Sequence, residues 1–348
     1  MSAVAGMSLD GPKSGTSLPT KRGPHMAEIL SDDIDFSEYL RETDAKSKVK
    51  PASAWMLELI DRLKNPDQTK KVFLPWEKCK AVFQFRPGEV TLWAGQNGHG
   101  KTQVVSQVVL SLMGQGERCV VASFEMKPAT TLQRFSRMYA QTNPYSPEYQ
   151  SDAGVDALTD LYREFGEWSD GRLWLYDQTG TVSADRVLGM ARYCAKELKI
   201  GHVVIDSLMK CVQGEDDYNG QKEFVDELTA LARDNQIHIH LIHHTRKPQN
   251  ENHVPDKYDN KGSGAITDLV DNVMMVWRNK GKEDDWKKLG FKSNRQTEPD
   301  AQILCRKQRN GEDEPTIALW FDRDSQQYKG DPSDPLMFFP NWPHRESF

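Results

Sequence analysis

The sequence has little that would indicate a secreted, zinc-binding or membrane protein. Its five cysteines are scattered and form no C-x-x-C pair, so we expect neither a zinc site nor a disulfide framework and interpret the cysteines as reduced core residues. No run of about 18 apolar residues is present, and the N-terminus lacks an apolar signal-peptide segment. These absences predict a soluble cytoplasmic protein with no membrane partner.

A strong excess of charge of one sign is also missing. The formal net charge is −6 over 348 residues, which argues against a generally basic protein that coats nucleic acid, although a cleft or a ring can hold basic groups locally. The sequence has no internal repeat. Its length suffices for one large α/β domain or two small domains.

Four segments differ in composition. Residues 1–25 are rich in Gly, Ser, Pro and Lys and are predicted to be disordered, and Gly23-Pro24-His25-Met26 is typical of a cloning scar before a natural start at Met26. Residues 26–65 are predicted to form a linker with two amphipathic helices, over 27–42 and 53–63, and we expect the second to pack on the core. The main domain is predicted to span residues 66–329.

The remaining segment, residues 330–348, is a tail in which prolines alternate with aromatic residues. Proline opposes regular structure, and exposed aromatic side chains are costly unless they dock on a surface. Two interpretations stay open: the tail packs on the chain's own surface, or it is a peptide that binds a partner.

A glycine-rich loop organises the middle of the chain. Residues 95–102 have the spacing G-x-x-x-x-G-K-[ST], between an apolar strand pattern and a helical pattern, which is the setting that this phosphate-binding motif requires. Its backbone N–H groups face an anion, Lys101 supplies a cation to the outer phosphates, and Thr102 offers a hydroxyl to Mg²⁺. The predicted nucleotide-binding residues are Gly95, Gln96, Asn97, Gly98, His99, Gly100, Lys101, Thr102 and Gln103.

Strand and helix patterns alternate from residue 82 onward. The predicted strands are 90–94, 119–124, 173–176, 203–205, 237–242 and 273–277. This alternation indicates an α/β fold with a mostly parallel central sheet and helices on both faces. Two further strands, 301–305 and 316–321, flank Asn310-Gly311, which predicts a C-terminal hairpin at the edge of the sheet.

Three residues that follow predicted strands suit phosphate chemistry. Asp206 can hold Mg²⁺ opposite the hydroxyl of the loop. Glu125 can orient a water molecule for attack on the terminal phosphate, although a glutamate at the start of a helix is the alternative. His244 can contact the terminal phosphate and respond to its loss. Metal binding by His243 and His244 is not expected, because neighbours on a strand face opposite sides and no Cys or Asp cluster completes a ligand set.

The cations Arg306, Lys307 and Arg309 lie where the predicted hairpin turns. Period-two alternation puts Lys307 and Arg309 on one face of the strand and Arg306 on the other. From these residues alone, a solvated basic turn remains an alternative to a functional role.

The order and the intervals of these blocks resemble the ATPase domain of DnaB-type replicative ring helicases of superfamily 4, including the helicase half of phage primase-helicases. The resemblance covers residues 80 to 325. The blocks that carry it are residues 95–102, Ser123-Phe124-Glu125-Met126, Val204-Ile205-Asp206, His243-His244-Thr245-Arg246, Lys261-Gly262-Ser263-Gly264-Ala265-Ile266 and Lys307-Gln308-Arg309-Asn310-Gly311.

The resemblance implies a RecA-like fold that binds ATP and Mg²⁺, with the metal held by Thr102 and Asp206. It implies that Glu125 is the catalytic base and that His244 is the phosphate sensor, at a position where the family often has Gln. The catalytic residues implied by the resemblance are Glu125, Lys101, His244, Lys307 and Arg309. The last two would act in trans on the nucleotide of the neighbouring subunit, so a lone subunit is expected to be nearly inactive.

The loops that contact DNA in the family correspond to residues 213–220 and 247–261. The first loop is acidic here, which leaves Asn219 and backbone N–H groups for the DNA. The second offers Lys247, Lys257 and Lys261, which suit a sequence-independent grip on single-stranded phosphates. The predicted helix over 28–40 resembles the linker helix that packs one subunit on the next, so the resemblance implies a hexameric ring with a separate primase.

The resemblance therefore implies an ATP-dependent replicative DNA helicase that moves 5′ to 3′, in a bacterial or phage-infected cell. One alternative is a RecA-like DNA-dependent ATPase that serves recombination or plasmid or phage replication without unwinding. Another is a helicase loader or adaptor whose nucleotide controls assembly. The block Lys307 to Gly311 favours the helicase, and an intact Glu125 argues against a pure binding switch.

Overall fold

One large β-sheet positions the functional residues. The computed structural model describes residues 28–30, 52–64, 71–212, 217–245 and 265–339. The strands of these residues are β1 (Glu28–Leu30), β2 (Val72–Phe73), β3 (Gln84–Phe85), β4 (Val90–Gly95), β5 (Cys119–Ser123), β6 (Leu173–Tyr176), β7 (His202–Asp206), β8 (His238–His244), β9 (Asn272–Arg278), β10 (Ala301–Gln308), β11 (Thr316–Phe321) and β12 (Tyr328–Lys329). Ten of them form the sheet, in the order β1-β6-β5-β7-β8-β4-β9-β10-β11-β12, and β2 pairs with β3 separately.

The centre of the sheet is parallel and one edge is antiparallel. Neighbouring strands from β6 to β9 in the sheet order run parallel, whereas β9 to β12 pair antiparallel. Every residue of β4, β5 and β7 is buried, as expected for parallel strands that are covered on both faces and are apolar throughout. The predicted mostly parallel α/β fold and its hairpin, formed by β10 and β11, are confirmed.

Helices cover both faces of this sheet. The helices of the described residues are α1 (Ala52–Lys64), α2 (Lys101–Gly114), α3 (Pro128–Ala140), α4 (Asp152–Ser169), α5 (Ala184–Lys196), α6 (Tyr218–Asn235), α7 (Ala265–Leu269) and α8 (Lys280–Leu289). Residues of α2, α3 and α4 form one hydrophobic core with Trp93 of β4, and residues of α5 and α6 form the other with Leu92. Adjacent residues of β4 therefore serve opposite cores. Among the described residues, no helix has the length and apolar character needed to span a membrane.

The N-terminal segment differs from its prediction. The helix expected over 27–42 is wrong at Glu28–Leu30, which form β1 and pair in parallel with β6. Without β1, strand β6 would lie at the edge of the sheet, and three extended residues provide partners for its backbone N–H and C=O groups. The remainder of that predicted helix lies outside the described residues. The helix predicted over 53–63 is confirmed as α1, but its Met56, Leu57 and Leu63 are exposed rather than packed on the core.

The tail begins on the protein's own surface. Met337 and Phe339 are buried. The amide of Gln327 donates a hydrogen bond to the carbonyl oxygen of Met337, and Gln141 donates another to the same oxygen. The tail therefore packs on the chain itself around Met337 and Phe339, whereas residues 331–335 are exposed. Residues 340–348 lie outside the described part of the chain, so the predicted partner-binding role of the tail stays a prediction.

Two histidines of β8 belong to a buried polar network between β8 and β4. Nδ1 of His238 lies 2.8 Å from the carbonyl oxygen of Arg86, which can only accept, so Nδ1 carries the proton and Nε2 accepts from the hydroxyl of Thr91 at 2.9 Å. The indole of Trp93 donates to Nδ1 of His240. Burial is the largest cause that lowers the pKa of His238, to about 4, and it lowers the pKa of His240 as well. Both rings are neutral at pH 7.

Candidate functional site

The glycine-rich loop joins the end of β4 to the start of α2. Two of its glycines are required sterically, because a Cβ at Gly95 would collide with the carbonyl oxygen of Val276, and one at Gly100 would lie 2.7 Å from Oη of Tyr328. Gly100 also caps α2 with a left-handed backbone at φ 83°, which favours glycine. The backbone can therefore curl tightly in front of the N-terminus of α2, where N–H groups and the helix dipole favour an anion.

Lys101 lies inside this loop. Its Nζ donates hydrogen bonds of 2.9 Å to the carbonyl oxygens of Gly95 and Gln96, and the residue is buried. Burial lowers the pKa of Lys101 to about 8, against the opposing effects of the nearby Asp206 and Glu125 carboxylates. The loop backbone therefore holds the ammonium group over the space in front of α2.

The other predicted residues of the loop differ in exposure. Gln96 and His99 are buried, whereas Asn97 and Gly98 are exposed at the tip. Gln103, in the first turn of α2, donates a hydrogen bond to the carbonyl oxygen of Gln326. These residues thus lie together in the loop and in the first turn of α2. Their part in nucleotide binding stays a prediction.

The two predicted metal ligands are in direct contact. The hydroxyl of Thr102 donates a 2.9 Å hydrogen bond to Oδ2 of Asp206, the last residue of β7. Asp206 is buried, and this burial raises the pKa of its carboxyl, with the hydrogen bond from Thr102 acting in the opposite direction. A bound cation would offset the cost of a buried carboxylate, and hydroxyl and carboxylate oxygens are the ligands that Mg²⁺ prefers.

These donors fit a cation that completes its coordination shell elsewhere. Among the described residues, no group of three or more His, Cys, Asp or Glu side chains is placed to hold a metal ion. Thr102 and Asp206 therefore provide a partial set of ligands. Mg²⁺ usually keeps several waters or takes phosphate oxygens in addition to one or two protein ligands.

Glu125 and His244 meet beside Asp206. Because β5, β7 and β8 are neighbours and run parallel, the residues at their carboxyl ends gather at one edge of the sheet. Oε1 of Glu125 lies 3.5 Å from Nε2 of His244 and accepts a 3.2 Å hydrogen bond from the hydroxyl of Ser207. The hydrogen bond from His244 is the largest cause that lowers the pKa of Glu125, and burial opposes it. The Glu125 carboxylate is ionised at neutral pH.

The sequence did not single out several residues of this edge. Ser207 was missed because nothing in its own segment indicates a contact with Glu125. Arg278, the last residue of β9, donates its backbone N–H to Nδ1 of His99 and a side-chain N–H to the carbonyl oxygen of Gly98. Burial and neighbouring cations lower the pKa of His99 to about 4, with burial the larger cause, so this imidazole is neutral when it accepts. The register of β9 beside β4, which placed Arg278 here, is not visible in the sequence.

Arg134 of α3 is a second cation that sequence reasoning missed. Its guanidinium is largely removed from water, and Nη1 has no hydrogen-bond partner among the described residues. Burial lowers the pKa of Arg134, and the charge of the nearby Asp206 opposes this effect. The signal in the sequence was weak, since a single Arg in an amphipathic helix is usually solvated.

The basic turn with Lys307 and Arg309 lies at the end of the sheet where the parallel strands begin, whereas the glycine-rich loop lies at the end where they finish. Gln308 pairs with Asn272, and Asn272 pairs with Thr91 at the start of β4, whereas Lys101 follows the end of β4. The structure therefore does not bring Lys307 and Arg309 to the loop of their own chain. Instead, Nζ of Lys307 donates to the carbonyl oxygens of Thr267, Asp268 and Val270 at 2.8, 2.8 and 2.7 Å.

The predicted DNA-binding residues are only partly described. Lys247, Lys257 and Lys261 lie outside the described residues. Asn219 is exposed in the first turn of α6, which follows β7 in the chain and so begins at the same edge of the sheet as Asp206. Its contact with DNA stays a prediction.

Comparisons with known proteins give one family and one fold. The sequence model of the family described as DnaB-like helicase C-terminal domain matches residues 80–330. A solved structure described as an ATPase domain superposes with a TM-score of 0.67 at 16% identity, over 81% of this chain and 99% of that chain. A second, described as a DnaB-like replicative helicase and its interactions with primase, gives 0.63 at 15% identity, over 81% of this chain and 67% of that chain. At these identities the two structures establish a shared fold.

Proposed function

Because the chain belongs to the DnaB-like helicase C-terminal domain family, we propose that it is an ATP-dependent replicative DNA helicase that translocates on single-stranded DNA as a ring. One observation carries this proposal. Oε1 of Glu125 lies 3.5 Å from Nε2 of His244, beside the hydrogen-bonded pair of Thr102 and Asp206 next to the glycine-rich loop. A protein that only bound nucleotide would not need an ionised carboxylate there.

The residues of one subunit would share the work of hydrolysis. The loop and Lys101 bind the phosphates, and the hydroxyl of Thr102 and the carboxylate of Asp206 would hold Mg²⁺, which neutralises charge on the phosphate oxygens when bound. Glu125 accepts a proton from the attacking water. His244 contacts the terminal phosphate while it is present, and the loss of this contact would change the position of the segment that follows β8.

The second half of each site would come from the next subunit. Lys307 and Arg309 lie at the edge of the sheet opposite Lys101, so a neighbour in a ring could present them to the nucleotide. Arginine fingers are worth about 10³ to 10⁵ in turnover where they have been measured. We propose a hexamer with one site at each subunit interface, in which Lys247, Lys257, Lys261 and Asn219 hold the strand and hydrolysis moves it 5′ to 3′.

A separate primase is a proposed partner. One of the structural neighbours is described together with its interactions with primase, and this chain shares its fold. Residues 340–348 with their prolines and aromatic side chains are a candidate contact for primase or polymerase.

Strand displacement on a forked duplex with a free 5′ arm tests the helicase activity. We expect unwinding with ATP, none with a non-hydrolysable analogue, and none by the Glu125→Gln protein at equal concentration. A fork with only a 3′ arm tests the polarity. DNA-stimulated hydrolysis without unwinding would support a RecA-like ATPase instead, and nucleotide binding without hydrolysis would support a loader or adaptor.

Subunit mixing tests the shared site. Arg309→Ala is expected to abolish hydrolysis and to leave nucleotide binding intact, because the residue lies away from its own loop. Mixing it with Lys101→Ala subunits should restore part of the activity, since an intact loop of one variant then meets an intact Arg309 of the other. Mixtures that assemble and remain inactive would contradict the intersubunit site.

A further inference from the structure

Arg309 is attached to its own chain along one side of its guanidinium group. Nη1 lies 3.0 Å from Oδ1 of Asp271, and Nη2 donates to the carbonyl oxygens of Asp268 and Leu269 at 3.0 and 3.4 Å. The backbone N–H of Arg309 also donates to the carbonyl oxygen of Asp271. Backbone and side chain are thus fixed to the same short segment, residues 268–271, which comprises the end of α7 and the two residues before β9.

Asp271 is itself held firmly by the sheet. Its side chain is 4% exposed, and Oδ2 accepts a 3.0 Å hydrogen bond from the backbone N–H of Val90, the first residue of β4. The backbone N–H of Asp271 donates to the carbonyl oxygen of Val90. One carboxylate therefore connects Arg309 to the first residue of the strand that ends in the phosphate-binding loop.

The hydrogen bonds leave Arg309 able to bind something else. A guanidinium carries five N–H donors in a fixed plane, and the contacts with described residues, made by Nη1 and Nη2, use at most three of them. The side chain is 40% exposed, so the remaining donors can be reached from outside the chain. Lys307 differs, because its ammonium has three N–H donors and donates to three backbone carbonyls of the segment at α7.

We propose that Asp271 is a positioning residue for Arg309. By holding one side of the guanidinium, it keeps the side chain in one conformation, so that the remaining donors meet the transferred phosphoryl group of the neighbour's nucleotide without a further loss of side-chain entropy. This inference rests on the proposed intersubunit ATPase. It assigns Asp271 a role in a site that belongs to another subunit.

Asp271→Asn tests the proposal with little change in shape. The amide oxygen can still accept from the N–H of Val90, while the negative charge that pairs with Arg309 is removed. We expect ATP turnover to fall by on the order of 10-fold or more, short of the full loss of an arginine finger, with unchanged affinity for a fluorescent ADP analogue. Asp268→Asn is the matched control: it removes an exposed carboxylate close by, Arg309 contacts only its backbone oxygen, and turnover should be unchanged.

Mixing separates positioning from a structural defect. Asp271→Asn subunits mixed with Lys101→Ala subunits should regain activity, as Arg309→Ala subunits do, because their own loops are intact and receive Arg309 from the partner variant. Full turnover of Asp271→Asn beside an inactive Arg309→Ala protein would overturn the positioning role alone. So would a loss of turnover that mixing does not restore although the Arg309→Ala mixture recovers. A fully active Arg309→Ala protein would instead overturn the intersubunit site itself.

Discussion

Glu125 is held by its neighbours in the form that a general base needs. Its carboxylate lies between Nε2 of His244 and the hydroxyl of Ser207, and these partners lower its pKa against the opposing effect of burial. All three residues follow or end neighbouring parallel strands, so the sheet brings them together. A carboxylate that is already ionised at neutral pH can accept a proton from water without first losing one of its own.

Replacement of Glu125 by Gln is expected to lower ATP turnover by about 10² to 10⁴ and to preserve nucleotide affinity, because the amide has the same size and does not touch the loop. Phosphate release under saturating DNA and titration of a fluorescent nucleotide measure the two quantities. His244→Gln serves as the comparison: an amide can still donate to Glu125, so its loss of turnover should be smaller. A Glu125→Gln protein with unchanged turnover would assign water activation to another residue.

The residues of this edge could be predicted from sequence only where a strand ends in a chemically distinctive group. Glu125, Asp206 and His244 satisfy that condition, and the structure brings them together. Ser207 and Arg134 do not, because a serine after a strand and an arginine in a helix have many ordinary roles. Their place beside Glu125 and Asp206 depends on the packing of α3 and on the register of β5 with β7, which no local pattern encodes.

Helix α7 is a short element that depends on a side chain from β10. Five residues form few internal hydrogen bonds, and Lys307 provides donors for three carbonyl oxygens at its C-terminal end, where a cation also favours the helix dipole. Lys307 therefore has a structural role in its own subunit, and the trans-acting role implied by the resemblance would require its ammonium to leave these carbonyl oxygens.

Lys307→Met is expected to lower the free energy of unfolding by about 1–3 kcal/mol, since the part-buried carbonyl oxygens of Thr267 and Val270 lose their charged donor. Urea unfolding followed by circular dichroism measures the change. Lys288→Met, at an exposed position of α8, is the control and should stay within about 0.5 kcal/mol of the parent protein. Equal free energies of unfolding for the two variants would show that other contacts stabilise α7.

The histidines of β8 make the sheet sensitive to acid. The pKa of His238 is about 4 in the folded protein, below the ordinary value of 6.5, so between these values the unfolded chain binds more protons than the folded one. The contribution of His238 to the free energy of unfolding is therefore fully present above pH 6.5. It is lost as the pH falls towards 4, which lowers the free energy of unfolding by about 3 kcal/mol. Urea unfolding at pH 7 and at pH 5 should detect the loss, and His238→Gln should reduce the pH dependence. A parallel decline in both proteins would place the acid sensitivity elsewhere.

The elements themselves were predictable to different extents. The central strands were found because parallel strands buried on both faces are apolar along their whole length. Strand β1 was not, since three residues are too few for any periodicity and its partner β6 is distant in sequence. For α1 the pattern identified the helix and its apolar face, but a pattern does not specify what covers that face.

At the scale of the whole molecule, α1 leaves an apolar surface on the protein. Met56, Leu57, Leu59, Ile60 and Leu63 are at least 38% exposed, and a large exposed apolar patch commonly marks an interaction surface. An assembly of identical subunits, as proposed for this helicase, would cover it.

Leu57→Ser combined with Leu63→Ser is expected to weaken self-association, because each buried leucine is worth about 1.5–3 kcal/mol. The two losses together correspond to an increase of on the order of 10² to 10⁴ in the dissociation constant, which sedimentation velocity over a range of concentrations measures. Leu289→Ser, an exposed leucine of α8, is the control and should leave association unchanged. If the double variant assembled like the parent, the α1 face would not belong to the subunit interface.

Lys101 and Arg309 lie at opposite ends of the strands of one sheet. This placement determines how many complete sites the proposed assembly contains. A single subunit carries two half-sites and no complete one, and an open row of n subunits contains n − 1 complete sites. Only closure of the row into a ring makes the number of complete sites equal to the number of subunits. Hydrolysis per subunit would then rise with the length of the row and reach its maximum at closure, so that the rate itself reports whether the ring is open or shut.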